Sequence, residues 1–235
     1  MCGLGRMCGN MARRLLRGGH RVVLYNRDIT VAEGIKKEEG GGVVSASLKA
    51  AVAALKAPRH VWLMLPAGEV TEKALNELMG LLSPGDVIID GGNSNFKDTQ
   101  RRHAMLKAKG FNFVDVGTSG GIWGLANGYG MMIGGEKEVV ENMRPIYETL
   151  APAKDECWGY MGPNGAYVNH VKTAAGMLYN YFEGNSTSHP HVQAGLGWLY
   201  RNWGLNNYGG GGAWNVGIGN SYAMYGVMKA MRKPQ

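Results

Sequence analysis

From residue 21 onward the chain keeps returning to one arrangement, a short apolar run followed by a cluster of glycine and small polar residues. RVVLYN (21–26) leads into residues 26–28, and HVWLMLP (60–66) into 66–68. DVIID (86–90) leads into 90–95, and FNFVDV (111–116) into 117–121. Amphipathic stretches lie between them: residues 47–56 behind a capping Ser47, 69–82 stopped by Ser83-Pro84-Gly85, and 97–109. A further strand, YGMMIGG (129–135), and a helix over 136–150 complete the pattern. Short strands alternating with helices specify a doubly wound, mainly parallel α/β sheet, because a parallel neighbour is reached only by a crossover. Ligands of such sheets collect at the carboxyl ends of the strands. The polar clusters therefore constrain the fold and the place of its site together.

The chain opens MCGLGRMCGN, a G-x-G-x-x loop at residues 3–7. Gly3 and Gly5 would let backbone amides approach a pyrophosphate, and the N-terminus of a helix over 9–17 would add positive potential. Met11, Ala12, Leu15 and Leu16 share one face of that helix, and Gly18-Gly19 ends it. The usual third glycine is Cys8, with Gly9 just after it. Only Met1 and Cys2 precede Gly3, so the strand that should deliver this loop is not legible. The turn after the strand 21–26 selects the nucleotide. An acidic residue there accepts from a ribose 2′-hydroxyl, whereas an arginine pairs with a 2′-phosphate. Asn26 and Arg27 favour NADP, while Asp28 would oppose a phosphate if it turned inward, which keeps NAD possible. A plain turn with a solvated Arg27 is the alternative.

The net charge of +7 favours anionic partners. Its cations are scattered, as in Arg13, Arg14 and Arg17 or Arg101 and Arg102, without interleaved aromatics. Small phosphorylated ligands fit this better than nucleic acid does. With 45% hydrophobic and 18% charged residues the composition is that of a globular protein. No apolar run is long enough for a membrane span, and no leader is evident, so a cytoplasmic protein is expected. Cys2, Cys8 and Cys157 lack metal-ligand spacing and read as free thiols, with no metal expected. DGGNSN (90–95) and VGTSGGIWG (116–124) place backbone donors where a carboxylate or sugar hydroxyl would sit, or are ordinary glycine-rich turns. Lys172 and Tyr179, seven residues apart in NHVKTAAGMLYNY, share a face of a helix expected over 164–184. A lysine half-buried there would serve as a base, and one on the surface would merely be solvated. Residues 206–220 read as loop and 222–232 as helix.

Taken together, GLGRM, NMARRLLRGGH, VWLMLPAGE, VIIDGGNSNFKDT, VDVGTSGGIWGL, MMIGGEKE and GPNGA resemble the decarboxylating 6-phosphogluconate dehydrogenases. The resemblance is to the short bacterial-type branch of that family, within the β-hydroxyacid dehydrogenase superfamily. The segments stand in family order, and DGGNS and GTSGG separate this family from dinucleotide-binding proteins at large. The resemblance implies a Rossmann-like dinucleotide-binding domain over 1–158 and a shortened, mainly helical substrate and dimerisation domain over 159–235. The reaction it implies is oxidative decarboxylation of 6-phosphogluconate to ribulose 5-phosphate and CO₂ with reduction of NADP. That reaction belongs to the pentose phosphate pathway and gluconate utilization, and the implied assembly is a homo-oligomer, a dimer at least. Gly3, Gly5, Arg6, Met7, Asn26 and Arg27 would hold the dinucleotide, with Leu65, Pro66 and Ala67 near the nicotinamide. Asn93 would stand between the two ligands. Ser119, Gly120 and Gly121 would hold the sugar acid, Lys172 would be the catalytic base and Tyr179 a substrate contact.

The chain also departs from the family pattern. Family members begin with several apolar residues that form the central strand, and they carry a His-Asn pair after the lysine and a glutamate before the tyrosine. Those last places hold Ala174, Ala175 and Leu178 here. Truncated or altered ends are therefore expected. A nucleotide-binding member with impaired catalysis and a sister β-hydroxyacid or imine-reducing dehydrogenase are the rival readings.

Overall fold

The computed structural model describes residues 1–154, 157–160 and 162. Lys172, Tyr179, Leu178 and the helices expected over 164–184 and 222–232 lie outside the described residues. In chain order the elements are α1 (Arg6–Arg17), β1 (Val23–Tyr25), α2 (Ile29–Glu39), β2 (Val43–Ser45), α3 (Leu48–Ala53) and β3 (His60–Leu63). There follow α4 (Glu69–Met79), β4 (Val87–Asp90), α5 (Phe96–Ala108), β5 (Asn112–Ser119) and a 3₁₀ turn over Gly121–Trp123. The last are α6 (Gly124–Asn127), β6 (Gly130–Gly134), α7 (Lys137–Asn142), α8 (Arg144–Leu150) and β7 (Trp158–Tyr160).

β1 and β2 pair in parallel, and β3, β4 and β5 form a second parallel run in register Trp62↔Ile89↔Val114. Residues 1–3 join the two. Cys2 bridges to Tyr25 on one side and Leu63 on the other, both in parallel. The Met1 carbonyl accepts from Tyr25 N–H at 3.0 Å, and the Cys2 carbonyl accepts from Met64 N–H at 2.9 Å. The slot that the sequence left without a strand is thus filled by three residues whose backbone pairs on both sides. They deliver Gly3 directly to the cleft end of the sheet.

Side chains alternate across the sheet as a two-faced core requires. Trp62, Ile89 and Val114 pack with Met11, Leu15, Ile35 and Tyr147 on one face. Val61, Leu63, Ile88 and Phe113 pack with Leu75, Leu78 and Leu106 on the other. Helices cover both faces, so the doubly wound α/β expectation holds.

Four details were not in the sequence reading. α2 and β2 intervene between β1 and α3, with Asp28 capping α2. β6 pairs with β5 antiparallel, Asp115↔Gly134 through Ser119↔Gly130. The helix expected over 136–150 is two helices, broken at Met143. Pro145 explains the break, since it has no N–H to donate and its ring clashes with the carbonyl four residues earlier. β7 adds a parallel edge to β6 and straddles residue 158, the expected domain boundary. Among the described residues no helix is long and apolar enough to cross a membrane.

Candidate functional site: a cleft at the strand ends

The cleft begins with the glycine loop. Gly3 has φ +84°, and a Cβ there would lie 2.6 Å from the Met64 carbonyl oxygen, so only glycine fits beside the strand end. Gly5 is the N-cap of α1, and a Cβ there would meet nothing within 4 Å. No side chain caps α1, and its first turn carries no acidic residue. Its leading N–H groups are therefore left to a ligand, with the positive end of the helix behind them. Cys8, in the place of the third glycine, is buried in the core beside Leu4 and Met11. Burial pushes its thiol up to about 12, which leaves it inert at neutral pH.

The next strand end supplies Asn26, Arg27 and Asp28. The Asn26 carboxamide oxygen accepts from Leu4 N–H at 3.0 Å, while its NH₂ donates to the Asp28 carbonyl at 3.0 Å. Asp28 lines the cleft as well, with its carboxylate capping its own helix. Its carboxylate accepts from Thr30 N–H at 3.0 Å and from the Thr30 hydroxyl at 2.7 Å. Those bonds hold its carboxyl below the usual range. Arg27 is exposed, and among the described residues no carboxylate pairs with it.

The third wall comes from β3, β4 and their loops. Pro66 is held by Thr71, whose hydroxyl donates to the Pro66 carbonyl at 2.9 Å. The DGGNSN segment turns half inward. Asp90, almost wholly buried, accepts from Gly92 N–H at 3.0 Å, from the Ser94 hydroxyl at 2.6 Å and from Arg102 Nη1 at 3.1 Å. Arg102 is fully buried, and its Nε donates to Glu72 at 2.9 Å. A carboxylate–guanidinium pair inside the protein thus fixes the loop, leaving Asn93 exposed at the rim.

These parts enclose a cleft of about 900 Å³, lined by Gly3, Gly5, Met7, Asn26, Arg27, Leu65, Pro66, Gly91, Gly92, Asn93, Gly117 and Thr118. A smaller pocket of about 280 Å³ shares Gly3, Gly5, Met7 and Met64 with it and adds Arg6, Gly121 and Ile122. Ten of the sequence-derived site residues therefore come together: Gly3, Gly5, Arg6, Met7, Asn26, Arg27, Leu65, Pro66, Asn93 and Gly121. Ala67, Ser119 and Gly120 line neither space. Gly120, at φ +143°, faces the Tyr129 ring, where a Cβ would lie 2.7 Å from Cδ1. Thr118 belongs to the 117–121 cluster singled out in the sequence, whereas Tyr25, Leu48, Met64 and the α4 residues Val70, Lys73, Ala74 and Glu77 were missed. The α4 set shares one helical face at positions 70, 73, 74 and 77, a spacing that by itself does not say what lies opposite.

Residues 1–162 match the family described as the NAD binding domain of 6-phosphogluconate dehydrogenase. The chain belongs to the 6-phosphogluconate dehydrogenase family. It is 40% identical over 169 residues to the NAD(+)-dependent decarboxylating 6-phosphogluconate dehydrogenase of Bacillus subtilis, a match covering 70% of this chain and 36% of that protein. It is 38% identical over 175 residues to the NADP(+)-dependent decarboxylating enzyme of the same organism, covering 72% of this chain and 37% of that protein. The chain thus spans little more than a third of the length of these relatives. Among solved structures it is similar to a 3-hydroxyisobutyrate dehydrogenase of Mycobacterium tuberculosis, with TM-score 0.62 and 27% identity over 79% of this chain and 65% of that one. Family members of both nucleotide preferences stand at nearly the same identity, so membership fixes a dinucleotide site and leaves the choice of nucleotide to local residues.

Proposed function

We propose that the protein is an NADP-dependent 6-phosphogluconate dehydrogenase, oxidising and decarboxylating the sugar acid to ribulose 5-phosphate. The observation that carries this reading is the joining, in one cleft, of an uncapped glycine-loop helix with Asn93, Gly117 and Thr118 from two further strand ends. The residues fit a dinucleotide: Gly3 admits the close backbone approach, and the empty space over Gly5 is where a phosphate would lie. NADP, when bound, supplies the hydride acceptor. Gly5, Arg6 and Met7 would hold its phosphates through backbone N–H groups, and Arg27 would pair with the 2′-phosphate. Leu65 and Pro66 would shield the nicotinamide from water. Asn93, Ser119, Gly120 and Gly121 would receive the sugar acid. Lys172 would take the proton of the 3-hydroxyl, with Tyr179 touching the substrate. Residues 159–235 would form the partial substrate and dimerisation domain, in a cytoplasmic homo-oligomer.

The similarity to decarboxylating 6-phosphogluconate dehydrogenases supports the reaction, and an Arg27 unpaired among the described residues, beside an Asp28 that bonds Thr30, supports NADP over NAD. A second reading, a nucleotide-binding member with impaired catalysis, is favoured by one residue. Leu178 stands where the resemblance puts a glutamate and has no proton to give the carbon left by decarboxylation. A single assay tests both: turnover of 6-phosphogluconate with NADP by this chain and by its Leu178→Glu variant. Turnover by the unmodified chain supports the first reading. NADP binding without turnover, rescued by the glutamate, supports the second. Failure to bind either dinucleotide overturns both.

A further inference from the structure

We propose that Glu77 selects the base of the dinucleotide, accepting a hydrogen bond from the 6-amino group of adenine at the outer end of the cleft. The proposal rests on the dinucleotide reading above and deepens it. With the phosphates at the N-terminus of α1 and the ribose beside Asn26 and Arg27, the base extends beyond Asn26. There the cleft is walled by Tyr25, Leu48 and one face of α4.

That face carries Val70, Lys73, Ala74 and Glu77, at spacings of three, four and seven residues. Its chemistry is unusual for a helix packed on a sheet. Val70 is a large apolar residue left 48% exposed, and Ala74 presents only a methyl group to the cleft. Apolar walls with a few placed polar groups are what a flat, mostly apolar ring with one polar edge requires.

Of the two charged residues on this face, Lys73 is engaged elsewhere, its ammonium 2.8 Å from Glu69 one turn back. Glu77 is not, for among the described residues no cation pairs with it. Its carboxylate nevertheless acts inward. The Tyr25 phenol and the Cys2 thiol are raised first by burial, and the Glu77 charge raises each of them further. Glu77 lines the cleft together with Tyr25, Asn26 and Leu48.

A carboxylate only accepts hydrogen bonds. Adenine presents two N–H donors at C6, whereas hypoxanthine presents a carbonyl oxygen there, an acceptor that the carboxylate cannot bond. A glutamine at 77 reverses the logic, since its NH₂ can donate to that carbonyl.

The test is a titration of the full chain with NADP and with its hypoxanthine counterpart, for the native protein and for E77Q and E77A. The native protein should bind NADP about tenfold more tightly, the scale of one charge-assisted hydrogen bond in a partly wet cleft. E77A should bring the two affinities close together, and E77Q should bring the ratio to one or invert it. Since each ratio is internal to one protein, a general loss of structure would not reproduce that order. Equal affinities in the native protein, or an unchanged ratio in E77A, would overturn the proposal while the dinucleotide reading stood. Binding of neither nucleotide would overturn the reading and the proposal together.

Discussion

Asn26 and Leu4, twenty-two positions apart, are joined by a hydrogen bond of 3.0 Å from the Leu4 N–H to the Asn26 carboxamide oxygen. The end of one strand thereby holds the glycine loop that the neighbouring backbone delivers. The resemblance assigns Asn26 to the nucleotide, and the geometry gives it a task that comes before any ligand. Asn26→Ala should therefore weaken NADP and NAD alike, by about 1–2 kcal/mol, because one buried donor loses its acceptor. Isothermal titration with both nucleotides checks this. A loss confined to NADP would make Asn26 a phosphate contact only.

Arg27 should discriminate where Asn26 does not. With Asp28 committed to Thr30, the guanidinium is the group left for a 2′-phosphate. NADP should bind more tightly than NAD by roughly 1–3 kcal/mol, and Arg27→Ala should abolish most of that difference. Titration at low and moderate salt would show it, the difference shrinking as salt rises. Equal affinities in the native protein would return the choice to Asp28.

Arg102 is predicted to be the costliest single residue near the site to replace. Arg102→Leu would strand the buried Asp90 carboxylate and leave Glu72 to Arg101 alone, at a cost of about 3–5 kcal/mol. The urea midpoint would fall accordingly. A variant as stable as the native protein would show that solvent reaches Asp90 and relieves it.

Gly120, which the resemblance assigns to the sugar acid, has a packing role of its own. Any side chain there meets Tyr129, itself fully buried, and the φ of +143° disfavours every other residue. Gly120→Ala should cost about 1–3 kcal/mol of stability in the absence of any ligand. Thermal and urea unfolding of the ligand-free protein measure this. An unchanged midpoint would mean that the Tyr129 ring shifts freely.

Stability should also depend on pH through His60. Burial lowers its pKa below the usual 6.5, against the opposing pull of Asp86 and the Pro58 carbonyl. Because the unfolded chain then binds the proton more readily, stability is full above about pH 6.5 and is lost as pH falls towards the folded value. Urea midpoints at pH 7.5 and 5.5 should differ less in His60→Gln than in the native protein. An identical difference would assign the loss to His20 and His103, whose pKa values burial also lowers.

The strand ends were legible because buried parallel strands are nearly continuous apolar runs, and the glycines after them interrupt those runs sharply. Other parts were hidden for particular reasons. α2 carries Glu33, Lys36, Lys37, Glu38 and Glu39 and buries only Ala32 and Ile35, so its apolar period is faint. Met1 to Gly3 are too few to show alternation, and only their partners on both sides reveal them as sheet. The direction of β6 is not a local property, since an apolar strand reads the same whichever way it runs. Arg102 looked like one cation among many, and its burial depends on Asp90 and Glu72, 12 and 30 positions away. Val70, Lys73, Ala74 and Glu77 passed as an ordinary helix face because nothing in the spacing says that the surface opposite is a cleft.

The reversal of β6 has a consequence for how such chains can change. Because Ser119 and Gly130 are paired, the segment between them leaves and re-enters the sheet at the same rim, above α1. It leans there on Asn10, which donates to the Ile122 carbonyl, and on Arg14, which donates to the Leu125 carbonyl. Substitutions within it break no rung of the ladder, but Gly121 and Ile122 share a pocket with Gly3 and Gly5, so changes there reach the glycine loop as well. The turn of the chain after β5 and the loop that opens α1 thus wall one space from opposite sides, so neither can be reshaped without the other feeling it.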